Sequence, residues 1–263
     1  MSEARSREAK SHETLVGDQF GSRAAAYLTS AVHARGEDLD ALAALVQARP
    51  NARVLDLGCG GGHVTFAAAP RACEVVAYDL SADMLATVAR AAHERGLVNV
   101  TTQQGVVERL PFPDASFDIV LSRYSAHHWR DHDAALREAA RVLKPGGVAG
   151  FADSISPGTP LLDTFYQTIE LLRDCSHVRS YSAAEWQMAL ARAGLTVATT
   201  RRSRVRLVFK TWVERMATPK LQVEAIRALQ AGVSESVTRY FATEPDGTFE
   251  IDVAVFEAMK AAT

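Results

Sequence analysis

Apolar residues along this chain alternate between two patterns. Short, nearly unbroken apolar runs occur at 53–57, 74–78, 117–122 and 148–152. Runs of that kind, with little polar alternation, predict strands buried on both faces of a parallel sheet. Between them lie stretches with helical spacing. Phe20, Ala24, Tyr27, Leu28, Ala31 and Val32 predict a helix over 20–35, and a second spans 37–48 and stops ahead of Pro50, since the residue before a proline avoids helical geometry. Ser81 caps a predicted helix 82–95 that Gly96 closes, and Asp131 opens another running to about Val142, with acids early and bases late as the helix dipole prefers. Further helices are predicted over 161–173 and 183–193, the latter closed by Gly194, and a third strand over 98–103. Residues 196–209 alternate like a strand, and two or three short helices over 212–240 precede a last strand, 248–256, entered through the turn Pro245-Asp246-Gly247.

Alternation of strand and helix over 263 residues, 48% of them hydrophobic, predicts one large α/β domain with additions. The formal net charge of −2 gives no dedicated nucleic-acid surface. Arg201, Arg202, Arg204 and Arg206 form a basic strip. A solvated strand face explains such a strip more simply than a phosphate site does. Three cysteines, an odd number without metal spacing, predict reduced thiols and a cytoplasmic protein. No apolar run reaches the ~20 residues of a membrane span.

The densest chemistry lies in Val54-Leu55-Asp56-Leu57-Gly58-Cys59-Gly60-Gly61-Gly62-His63, a strand feeding a glycine-rich turn and then a helical run, 63–69. Glycines there let a ligand lie against backbone N–H groups, and the helix N-terminus adds partial positive charge. A purely conformational turn uses the same residues. The next strand ends on Asp79, about twenty residues after Gly58, where an acid can accept both hydroxyls of a ribose. A dinucleotide fingerprint needs a third glycine at the sixth position, and His63 stands there. S-adenosylmethionine has no diphosphate to place, so the spacing favours it.

Four ordered segments sharpen this. Residues 54–62 resemble motif I of the class I S-adenosylmethionine-dependent methyltransferases, and Asp79-Leu80-Ser81-Ala82-Asp83-Met84 resembles the acid and S-x-x-M that follow their second strand. Leu110-Pro111-Phe112-Pro113-Asp114-Ala115-Ser116-Phe117-Asp118-Ile119-Val120 is similar to the segment entering the fourth strand of the UbiE-like branch. Arg141-Val142-Leu143-Lys144-Pro145-Gly146-Gly147 is similar to the turn before the fifth. A softer likeness, through 122–129, 172–179 and 212–215, points to YafE/YcgJ-type members.

The resemblance implies a Rossmann-like, doubly wound, mostly parallel seven-stranded sheet with an N-terminal helical cap. Residues 1–50 would be N-terminal helices, 51–153 the cofactor-binding core, and 154–263 lid helices and last strands with an insertion at about 210–241. It implies S-adenosylmethionine as cofactor, leaving as S-adenosylhomocysteine, and a cofactor site at Asp56, Gly58, Cys59, Gly60, Asp79, Leu80, Met84, Gly105, Val106, Val107 and Arg123, with Tyr27 of the cap over it. Tyr27 and Phe20 serve equally as packing residues, and Met84 as a core methionine. Many relatives carry Gly-Asp-Ala where this chain has Gly105-Val106-Val107, so adenine recognition falls to backbone groups or Glu108.

Arg123, Tyr124, His127 and His128 crowd the end of the fourth strand, where open α/β sheets build sites. His127 is the expected base and Tyr124 the expected orienting group, with Trp212, Arg215 and His177 as further acceptor contacts. The expected reaction is in-line methyl transfer to a small-molecule acceptor, with no nucleic-acid partner, and the acceptor atom stays open among carbon, oxygen, nitrogen and sulfur. A macromolecule methyltransferase lacks support because no Asn/Asp-Pro-Pro-Tyr/Phe motif is present. Binding of NAD would favour an oxidoreductase, and the loss of the usual aspartate at Val106 keeps a non-catalytic cofactor-binding protein in view.

Overall fold

The computed structural model describes residues 10–21 and 36–262. After helix α1 (His12–Gly21) and helix α2 (Glu37–Gln47) come β1 (Arg53–Leu57), α3 (His63–Ala68), β2 (Glu74–Asp79), α4 (Ala82–Glu94) and β3 (Val100–Gln104). The chain then returns through β4 (Phe117–Arg123), a 3-10 turn at Ala126–His128, α5 (His132–Val142) and β5 (Leu143–Ile155). The second half holds α6 (Pro160–Arg173), α7 (Ala183–Arg192), β6 (Leu195–Leu207), α8 (Phe209–Arg215), α9 (Lys220–Gly232), α10 (Glu235–Tyr240) and β7 (Phe249–Lys260).

The seven strands form one sheet in the order β3-β2-β1-β4-β5-β7-β6, parallel except for β7, which runs antiparallel to β5 and β6. This is the doubly wound, mostly parallel seven-stranded sheet that the resemblance implies, and its buried parallel strands include those the apolar runs predict. β1 is apolar almost throughout because it is covered on both faces. Val54 packs with Leu42 of α2 and Val64 of α3, whereas Leu55 and Leu57 pack in the cluster that holds Leu136 of α5 and Trp186 of α7. A third cluster ties Phe165 and Ile169 of α6 to Trp212, Ile226 and Val237 of the inserted helices and to Phe249 and Ile251 of β7. The insertion is thereby packed onto the far end of the sheet. No helix among the described residues is long and apolar enough to cross a membrane.

Two strand boundaries and one added helix differ from expectation. Ahead of the helix expected over 20–35, most of which lies outside the described residues, the structure has a helix over His12–Gly21. Its sequence carries few apolar residues, so its place is set by docking rather than by its own periodicity. Tyr27 lies outside the described residues. β5 starts at Leu143 rather than Val148, because Leu143 pairs with Phe117 before the register jumps to Ile119 and Val148. Pro145-Gly146-Gly147 is thus carried as an irregularity inside the strand. β3 covers Val100–Gln104 and is largely exposed, as befits an edge.

The basic strip of β6 is neutralised. Arg201 pairs with Glu257 at 2.7 Å, Arg204 with Glu250 and Asp252 at 3.4 Å each, and Arg206 with Glu244 at 2.8 Å. The strand-face explanation holds for these three.

Candidate functional site

Strand order reverses between β1 and β4, and in open α/β sheets the crevice at the carboxyl ends of such strands takes ligands. A cleft of about 1100 Å³ opens there. Asp56, Gly58, Cys59, Gly60, Asp79, Leu80, Met84, Gly105, Val106, Val107 and Arg123 all line it, joined by His12, Val16 and Phe20 of α1. The structure therefore gathers every described residue of the expected cofactor set into one place.

Asp56 is fully buried near the end of β1. Its Oδ2 accepts from Thr65 Oγ1 at 2.6 Å, while its buried Oδ1 has no hydrogen-bond partner. Burial pushes its pKa up to about 7 against the pull of the Thr65 hydrogen bonds. Asp79 ends β2 with one backbone donor per oxygen, Ser81 N–H at 2.8 Å and Gly60 N–H at 2.9 Å. Burial raises its pKa as well. Each of these oxygens keeps acceptor capacity for a ligand.

The turn works differently from expectation. Its amides are committed within the protein: Gly58 and Cys59 N–H donate to the Tyr78 carbonyl at 2.8 and 3.0 Å, Gly60 N–H to Asp79, and Gly62 N–H to the Cys59 carbonyl at 2.8 Å. What Gly60 contributes is room. Gly60 has positive φ, and the space its Cβ would fill is open for 4 Å around.

Both substitutes for the missing aspartate are partly engaged within the protein. The Val106 carbonyl accepts from Tyr78 Oη at 3.0 Å, and Glu108 accepts the Arg130 and Asp131 N–H groups at 2.9 and 3.2 Å. Arg123 is likewise engaged, donating to both oxygens of Asp38 at 2.6 and 3.1 Å. Its guanidinium stands 4.9 Å from the Tyr124 ring centre, so it braces the wall of the cleft.

A second cavity of about 720 Å³ adjoins the cleft, and Phe20, Tyr124 and His128 line both. Tyr124 sits at the boundary with φ 52°, a left-handed conformation uncommon outside glycine. This redirects the chain from β4 into the 3-10 turn and delivers His127 into the second cavity. His127 Nδ1 lies 2.6 Å from Asp153 Oδ1 of β5, and Asp153 Oδ2 accepts the Ala126 N–H at 2.8 Å. Burial pulls the His127 pKa down, but the Asp153 carboxylate outweighs it and the net shift is upward. Burial likewise pushes Asp153 up, and His127 more than offsets it, leaving the carboxyl below its usual range. Burial, and then the His127 charge, bring His128 down to about 4. Burial raises the Tyr124 phenol and the Asp38 charge adds to it, so it stays protonated as a donor.

Trp212 and Arg215 line the second cavity, but His177 does not; its Nε2 is held by Gln167 Oε1 at 2.9 Å. Three contributors are not legible in the sequence: Asp153 as the partner of His127, and the places of His12 and Glu170 at the two spaces. His12, Val16 and Phe20 recur every fourth residue on one helical stripe, a signal short enough to be overlooked.

Comparison with known proteins agrees with this architecture. Residues 55–151 match the family described as Methyltransferase domain. The uncharacterized protein YafE of Escherichia coli K12 is 51% identical over 78% of this chain and 99% of its own length. The methyltransferase YcgJ of Bacillus subtilis 168 is 39% identical over 76% of this chain and 79% of its own. The crystal structure of YcgJ superposes with a TM-score of 0.82 at 33% identity, covering 85% of this chain and 98% of that one. Fold, motifs and relatives together place this chain among the class I S-adenosylmethionine-dependent methyltransferases, in the YafE/YcgJ group.

Proposed function

We propose that this methyltransferase acts on a small-molecule acceptor, with S-adenosylmethionine in the cleft at β1 and β4 and the acceptor in the adjoining cavity. The observation that carries this is the shared wall: Tyr124, Phe20 and His128 line both spaces, and His127 with its Asp153 partner lies on the acceptor side. The cleft suits the cofactor. The unpartnered Oδ1 of Asp56 can take an ammonium proton, Asp79 the ribose hydroxyls, and the open space over Gly60 the body of the ligand.

When bound, S-adenosylmethionine supplies a methyl group on a sulfonium, already activated toward displacement. The protein's part is to hold the acceptor atom in line and to exclude water, which is worth on the order of 7 to 11 kcal/mol of barrier. Tyr124, whose phenol burial and the Asp38 carboxylate keep protonated, walls the junction where the two spaces meet. His127 accepts a proton if the acceptor must lose one.

Calorimetric titration with S-adenosylmethionine, S-adenosylhomocysteine and NADH tests the cofactor assignment. Both sulfur compounds should bind and NADH should not, and Asp79→Ala should weaken the sulfur compounds by at least tenfold. Equal binding by the variant would remove Asp79 from the site.

A further inference from the structure

We propose that the acceptor is a neutral, largely apolar molecule bearing a weakly acidic hydroxyl, phenolic or enolic, and that Asp153 positions His127 to take that hydroxyl's proton; this rests on the methyl-transfer assignment above.

Asp153 grips one turn at two points. Its Oδ2 holds the Ala126 N–H and its Oδ1 holds His127 Nδ1, and Oδ1 also takes the Ser154 N–H at 2.8 Å. With Nδ1 donating to the carboxylate, the neutral ring carries its lone pair on Nε2. That nitrogen makes no hydrogen bond to any described residue, and the ring lines the second cavity. The groups facing the ring are Asp153 from β5, His128 from the same turn at 4.2 Å between ring centres, His177 at 5.8 Å, and the carboxylates of Glu170 in α6 and Asp174 just after it. Burial holds His128 down to about 4 and His177 down to about 3, so both stay neutral near pH 7.

Several charged groups around this cavity are held by their neighbours. Arg173 pairs with Glu170 at 3.2 Å, Asp174 takes the Ser176 N–H and hydroxyl at 2.9 and 2.6 Å, Asp153 holds His127, and Arg215 is not free either. Val205, Leu207, Trp212, Ile251 and Val253 supply apolar wall. A charged acceptor loses its hydration against these apolar walls, whereas a neutral hydroxyl loses far less. It is also the nucleophile that needs a base, because a neutral oxygen attacks poorly and would leave an oxonium. In the balanced step the O–H bond breaks and its proton joins His127 Nε2. The oxygen's electron pair then bonds the methyl carbon, and the C–S pair returns to sulfur, giving neutral S-adenosylhomocysteine. Asp153 stabilises the imidazolium until its proton passes to water.

The test uses three probes on one aromatic frame, 2-naphthol, 2-naphthylamine and 2-naphthoate, with S-adenosylhomocysteine release followed from about pH 6 to about pH 9. Wild-type protein should methylate the naphthol in preference to the other two, with a rate that rises through a limb above the ordinary imidazole value of about 6.5. Asp153→Asn should move that limb to lower pH and lower the plateau by roughly 10²-fold, with calorimetric binding of S-adenosylmethionine unchanged. A limb that stays in place in Asp153→Asn, preference for the amine or the carboxylate, or turnover of none of the three by protein that binds S-adenosylmethionine would overturn the inference. Failure to bind S-adenosylmethionine at all would instead overturn the assignment beneath it.

Discussion

Gly58 and Gly60 both take positive φ, 66° and 48°, yet they serve different ends. A Cβ on Gly58 would stand 1.8 Å from Ser125 Oγ, whereas one on Gly60 would meet nothing within 4 Å. Gly58→Ala is therefore expected to destabilise the fold by several times the ~1–2 kcal/mol that left-handed backbone alone costs an alanine. Gly60→Ala should cost only about that much and instead weaken S-adenosylmethionine binding, because its methyl projects into the cleft. Urea unfolding and calorimetry on the two variants separate the effects; equal losses of stability would contradict the assignment. Asp56 yields a pH prediction. Its folded pKa of about 7 lies above the ordinary 3.8, so between these values the folded state keeps a proton that the unfolded chain has released. Stability from this group falls as pH rises through that window and levels off above it. Measured by urea unfolding, Asp56→Asn should gain on wild type by up to about 3 kcal/mol between about pH 5 and about pH 8. A constant difference would refute the shift.

At the scale of elements, the site depends on α2 more than its distance in sequence suggests. Asp38 and Arg123 are both buried, and their paired hydrogen bonds tie the first turn of α2 to the last residue of β4. Asp38→Ala removes the bidentate carboxylate from a buried guanidinium and should destabilise the protein by about 3 kcal/mol. Because Tyr124 follows Arg123 directly, methyl transfer should suffer too. Thermal melts with activity assays check this, and an unchanged melting temperature would show that the pair is dispensable. Helix α1 joins two parts of the site, with His12 Nε2 on the His128 carbonyl at 2.9 Å, Phe20 edge-on to the His128 ring at 4.9 Å and Gln19 on the Met216 carbonyl at 3.3 Å. Its periodic stripe of His12, Val16 and Phe20 is short, and what that stripe docks against is set by the tertiary structure.

For the whole molecule, a ligand that binds the folded state alone stabilises it by mass action. S-adenosylhomocysteine at about 100 times its Kd should add about 2.7 kcal/mol, raising Tm by roughly 5–10 °C for a chain of this size. A shift that does not grow with concentration would exclude specific binding. The β6 arginines illustrate the same scale: four cations within six residues look like a binding strip, but acids across β7 and from the turn after α10 neutralise three of them.

Local order along the chain was sufficient to determine most strands and helices and to point to the cleft at the ends of β1 and β2. Strand burial, caps such as Ser81 and Asp131, and the glycine turn are each written within a few neighbouring residues, and Asp56, Gly60 and Asp79 lie at the ends of two adjacent strands. Tertiary structure alone decided what the turn's amides bond to, that Val106 and Glu108 are already engaged, and that Asp153, 26 residues beyond His127, stands behind its ring. It also decided that α6 and the inserted helices wall the second cavity. The physical reason is that periodicity and capping are short-range, whereas the partner of a buried polar atom is chosen by which strands and helices pack together.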